Sequence, residues 1–149
     1  MSLLIALKIV HVLAAITAVG ASVTYAFWLR LAGTEQPRLL FAIEGVRRLD
    51  RLVANPAYIV LLLTGVAMVM TGAYRFEEGW LSAAIFLYVV TAVVGFTLFA
   101  PAIRRQQAEA ERDPTSEEYT AAARRTNLFG ILTVLIVLVV VVLMVAKPF

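Results

Sequence analysis

The chain has 149 residues, 62% of them hydrophobic and only 15% charged, with no cysteine and a formal net charge of +3. An ordinary soluble domain is about 45–50% apolar and about 25% charged, so this is membrane material of single-domain length. The missing cysteines exclude a disulfide framework, an iron–sulfur cluster, a thiolate zinc site and a Cys nucleophile, and the basic charge does not point to nucleic acid, because the arginines cluster between apolar runs.

A spanning helix needs roughly 20 mostly apolar residues, and four segments qualify. The first runs over about 3–29. It lacks a basic leader, and its apolar run exceeds the 7–15 residues usual for a signal-peptide core, so it reads as a retained span. Within it, "LKIVHVLAA" holds Lys8 and the chain's only histidine, His11. Next comes "PRLLFAIEGVRRLDRLVANP". Leu39, Leu40, Ile43, Val46, Leu49 and Val53 recur there at helical spacing, with arginines on the other side. That pattern predicts an interfacial amphipathic helix over about 38–53, lying on the membrane surface. Asn55 and Pro56 form a plausible N-cap and N1 pair opening the second span, 57–74. The third span, 80–100, starts at Trp80. The polar stretch after it is broken at Asp113-Pro114, and Thr115 with Glu118 matches a capping box that restarts a helix. That helix leads into the fourth span, 128–146, which includes "LIVLVVVVLMVA".

Arginines fill the first and third connections, whereas the second has only Arg75, and the termini carry only Lys8 and Lys147. The positive-inside rule therefore predicts both termini on the outer side. Tyr25, Trp28 and Trp80 suit interfacial aromatic belts. Every acidic residue falls in a connection, which argues against a carboxylate proton relay or a cation transporter.

Ionisable residues within spans are functional-site candidates by default. Lys8 is close enough to the outer surface to snorkel. His11 lies ~12 Å inside Leu3 by helical rise. Lys8, His11, Ala15, Ala18, Ser22 and Tyr25 share one face at spacings of three and four. Below His11 that face has only small residues until Tyr25, which leaves room either for a neighbouring helix, with His11 bonded to one of its hydroxyls or carbonyls, or for a flat cofactor. Counting along the other spans puts Met68 and Tyr88 in the same layer as His11. Thr64, Gly65, Thr91 and Gly95 fall further inward, the two glycines as close-packing points. One imidazole can serve haem iron alone, with Met68, or with a second His across a dimer, and Lys8 can pair with a haem propionate. Copper(I) also suits imidazole with thioether.

"LKIVHVLAAITAVGA", "LLLTG", Trp80 at the third span and the ending "LMVAKPF" together resemble a family of small four-span bacterial membrane proteins of unknown function. The K-x-x-H start is also similar to the HemJ-type protoporphyrinogen oxidases and, more distantly, to the copper-resistance D domain. The HemJ-type resemblance implies haem b held by His11. That family also has a functional lysine in a later span, and spans two to four here have no internal lysine, a departure that puts the implied oxidase activity in doubt and leaves haem binding and a haem-linked oxidoreductase open.

The expectation is an all-α, four-helix transmembrane bundle over 1–149 in the inner (plasma) membrane, both termini outside. Its expected role is haem b binding in redox or haem handling, with Lys8, His11, Met68 and Tyr88 as site residues and His11 as the metal ligand. The alternatives are a cofactor-free accessory subunit or assembly factor of a larger complex and a copper(I)-handling protein. The expected partners are the lipid bilayer and either a second copy or a larger membrane complex.

Overall fold

The computed structural model describes residues 2–148, and among these residues every regular element is helical. Four helices are long and apolar enough to cross a membrane: α1 (Leu3–Ala32), α2 (Gln36–Met70), α3 (Gly79–Arg112) and α4 (Glu117–Ala146). They are 30 to 35 residues long, or ~45–52 Å at the rise of an α-helix. A hydrocarbon core is about 30 Å thick, so each helix reaches well beyond it.

The surplus length gathers at the arginine-rich end. The predicted surface helix is not a separate element, because α2 continues through residues 50–54 into its membrane half. The first part of its apolar face is covered by protein and not by lipid, whereas Leu49 and Val53 stay exposed. Leu39, Ile43 and Val46 are fully buried, packed with Ile103, Ala110 and Tyr119. An amphipathic stripe fits either partner, and here the extension of α3 supplies it. Gln36 Nε2 reaches the carbonyls of Ala110 and Glu111, both at 3.0 Å. Arg47 donates to Gln107 Oε1.

The membrane halves pack differently. Most large side chains there face outward, among them Leu13, Ile16, Leu63, Phe86 and Leu135. This is the pattern of helices solvated by lipid. α1 packs on α2 and α4, and α4 packs on α3. No Cα of residues 55–70 comes within 8 Å of a Cα of residues 79–94. The ring of four helices is thus closed at the arginine-rich end and open between α2 and α3 within the membrane.

Two π-turns, Asp50–Ala54 and Gly95–Phe99, mark the level where the bundle opens. Asn55 N–H bonds to the Asp50 carbonyl, and Ala100 N–H bonds to the Gly95 carbonyl, each spanning five residues. A proline follows each donor. Pro56 and Pro101 have no N–H, and in a regular helix each ring would press on the carbonyl four residues back. Widening the preceding turn relieves that contact and keeps the helix continuous. Asn55 is therefore mid-helix and not an N-cap.

The α3–α4 turn restarts one residue later than the capping-box pattern suggests. Ser116 is the N-cap, its hydroxyl accepting from Tyr119 N–H at 3.1 Å. Asp113 engages Thr115 instead, accepting from its N–H at 2.8 Å and its hydroxyl at 2.7 Å. A carboxylate two residues upstream outcompetes the capping position for that hydroxyl.

Candidate functional site

The small-residue face of α1 meets α2. Three polar contacts run down this seam. His11 Nδ1 is 2.8 Å from Thr64 Oγ1, Ser22 Oγ is 3.4 Å from the Tyr58 hydroxyl, and the Tyr25 hydroxyl donates to Asp50 Oδ1 at 3.4 Å. Ala14 and Ala18 are buried between them. Gly65 lies against the imidazole, since a Cβ there would sit 3.5 Å from His11 Cε1.

The Thr64 hydroxyl also lies 2.7 Å from the Val60 carbonyl. With its one proton on that carbonyl, its oxygen accepts from His11 Nδ1–H and Nε2 keeps a lone pair; with the proton directed at Nδ1, Nε2 carries the imidazole hydrogen instead. Ser22 has the same choice. With its proton on the Ala18 carbonyl at 2.9 Å, it accepts from Tyr58.

The other expected ligands do not gather at His11. The Lys8 ammonium is 5.6 Å from the Tyr74 ring centroid, and Lys147 approaches the same ring at 4.6 Å and Trp80 at 5.0 Å. Lys8 thus belongs to a cationic and aromatic cap at the end bearing the termini. Met68 is buried on the Thr64 face of α2, one turn away. Tyr88 points elsewhere, its hydroxyl donating to the Tyr58 carbonyl at 2.8 Å. Tyr58 is six residues, ~9 Å, closer to the arginine-rich end than Thr64. The layer of His11, Met68 and Tyr88 divides, and Thr64 and Gly65, which helix counting puts further inward, lie against the imidazole. Of the residues expected to hold haem, His11 and Met68 lie one turn apart along the α1–α2 seam, whereas Lys8 and Tyr88 make their contacts elsewhere. Among the described residues no three His, Asp or Glu side chains cluster to hold a metal ion.

The Tyr88 hydroxyl bridges the opening between α2 and α3, and a cavity of about 410 Å³ lies beside it, at the height of the π-turns. All four helices line it. Its wall is mainly apolar, with Phe96, Phe99, Ile131 and Val134, and carries the hydroxyls of Tyr58, Tyr88 and Thr91. At the arginine-rich end its lining includes Asp50, Asn55, Arg47, Arg51 and Arg104. Gly95 was expected to be a close-packing point, but a Cβ there would meet nothing within 4 Å. It faces open space.

Asp50 is the residue that the connection hid. Written between Arg48 and Arg51, it reads as one more solvated charge. In the fold it is half-buried, and both oxygens are engaged, Oδ1 by Tyr25 and Oδ2 by Asn55 Nδ2 at 3.3 Å. It lies ~30 Å along α2 from Met70, at the rim of the hydrocarbon layer. The available signal was Pro56, whose ring a widened preceding turn accommodates. Tyr25 is buried beside it and is not a lipid-facing belt residue.

Four apolar helices around an interior cavity, with lipid-facing side chains outside, define a multi-pass integral membrane protein of the four-span, all-helical class. The family described as "Predicted integral membrane protein (DUF2269)" matches residues 5–148, and the chain belongs to it. Searches of curated proteins and of solved structures return no match.

Proposed function

We propose that this protein takes up an amphiphilic molecule from the bilayer into the cavity where the bundle opens, with its arginine-rich end in the cytoplasm and the inner membrane as its host. The observation that carries this reading is the unclosed side between the membrane halves of α2 and α3, leading to a mainly apolar cavity with convergent hydroxyls. Ligand pockets generally combine an apolar wall with a few placed polar groups. Gly95→Leu and Ala92→Leu test it, because both positions line the cavity. Native mass spectrometry of gently extracted wild type is expected to show a co-purifying small amphiphile, lost in both variants at unchanged thermal stability. Wild type free of any bound molecule after lipid supplementation sinks the reading.

A second reading is haem b bound through His11 Nε2, with the other axial position open or filled from a second copy. Its support is the Thr64 oxygen 2.8 Å from His11 Nδ1, placed as the fixed acceptor to which a ligand histidine donates its other N–H. Haem would supply one-electron redox chemistry. Visible spectra of wild type and His11→Ala after haem supplementation decide it: a Soret band lost in the variant supports the reading, and no band in wild type removes it. Copper(I) handling is tested by metal analysis of the same preparation. An accessory-subunit role would appear as a larger species on native gels.

A further inference from the structure

We infer that the cavity's ligand is an anionic phospholipid of the leaflet at the arginine-rich end, its phosphate held at Arg51 and Arg104 and its chains leaving between α2 and α3. This rests on the amphiphile reading above and assigns the headgroup. The first observation is charge. Arg47, Arg51 and Arg104 line the cavity against one carboxylate, Asp50. With Arg47 paired to Glu44 at 3.6 Å, Arg51 and Arg104 against Asp50 leave a surplus of one positive charge. The Asp50 oxygens accept from Tyr25 and Asn55 and from neither arginine. Arg47 has Glu44 and Gln107 as partners, whereas Arg51 and Arg104 form no salt bridge among the described residues. Guanidinium groups suit the planar, bidentate recognition of phosphate oxygens.

The second observation is direction. The arginines lie at the end where the helices leave the hydrocarbon layer, and the apolar wall rises from there toward the middle of the bundle. A lipid of that leaflet enters with its headgroup and chains already so oriented. About 410 Å³ accommodates a headgroup and a few carbons but not two acyl chains. The chains therefore continue along the side that no helix closes. Tyr88, bonded to the Tyr58 carbonyl across that side, limits how far up the headgroup can move.

The test is lipid binding by native mass spectrometry on delipidated full-length protein, titrated separately with phosphatidylglycerol, phosphatidylcholine and diacylglycerol. Phosphatidylglycerol is expected to bind about tenfold or more tightly than either of the others. The Arg51→Gln/Arg104→Gln double variant is expected to lose that preference. Arg105→Gln/Arg124→Gln, with the same charge change at exposed positions outside the cavity, is expected to keep it. Inorganic phosphate at millimolar concentration is expected not to displace the lipid, and full displacement would identify free phosphate as the ligand and overturn the lipid assignment. Binding that Gly95→Leu abolishes but the double arginine variant leaves unchanged overturns the headgroup assignment alone. Binding insensitive to both variants overturns this inference and the cavity reading together.

Discussion

Thr64 and Gln106 show how single polar side chains are placed in a bundle with few buried residues. Thr64 links His11 to the Val60 carbonyl, so Thr64→Val leaves His11 Nδ1 without its partner. Hydrogen bonds between membrane helices are worth about 0.5–1.7 kcal/mol, and the double-mutant cycle of Thr64→Val with His11→Ala is expected to give a coupling in that range, read from thermal unfolding in detergent. Gln106 is the opposite case. It is 2% exposed, its Nε2 reaches the Tyr119 hydroxyl at 3.4 Å, and its Oε1 has no partner. An unsatisfied buried acceptor costs about 1–3 kcal/mol, so Gln106→Leu is expected to raise the melting temperature. A lower melting temperature would mean that Oε1 is bonded in solution, for example to an ordered water.

The helices are shaped by their prolines and turns. Pro56 is expected to hold the Asp50–Ala54 turn open, and Pro56→Ala should let residues 50–60 regularise as α-helix. Hydrogen exchange by mass spectrometry reads this as slower exchange around residues 52–56 in the variant. Unchanged exchange would mean that packing and not proline sets the turn. The α3–α4 turn has its own pH dependence. Hydrogen bonds from Thr115 hold the Asp113 carboxyl below its ordinary value. A folded-state pKa below the unfolded one stabilises at pH above the unfolded value, about 4. That contribution is lost as pH falls through the folded value. Below pH 4 the turn is expected to loosen, with faster exchange at Thr115 to Ser116, and Asp113→Asn should show no such pH step.

At the scale of the whole molecule the absence of cysteine is an experimental convenience, because single introduced thiols report sidedness directly. With the arginine-rich end cytoplasmic, Glu77→Cys is expected to react with an impermeant maleimide on intact cells, and Glu111→Cys only after permeabilisation. Both positions are exposed. The reverse labelling would invert the proposed topology and put the phosphate site in the other leaflet. The same scale explains the uneven packing. The fully buried large side chains Leu39, Ile43, Val46 and Thr126 gather toward the arginine-rich end. There water drives apolar burial, while within lipid only close packing and polar contacts hold helices together.

Four spans, their order and the small-residue face of α1 were legible in the sequence, because hydrophobic length and helical periodicity are local properties of the chain. His11 could be found for the same reason: it is a polar residue deep within an apolar run. That a neighbouring hydroxyl bonds His11 was within reach of the sequence, but which one was not, because counting put Thr64 further inward and helix rotation and side-chain reach bring it to the imidazole. Asp50 and the cavity were hidden for a further reason. The face of residues 39–53 fits a membrane surface or a helix equally well, and only its pairing with α3 buries Leu39, Ile43 and Val46. That pairing closes the bundle at one end, and the prolines widen the turns beside it. Together they turn a carboxylate of an apparent surface helix toward the interior. Local pattern determined which helices exist, and long-range packing alone decided where they part.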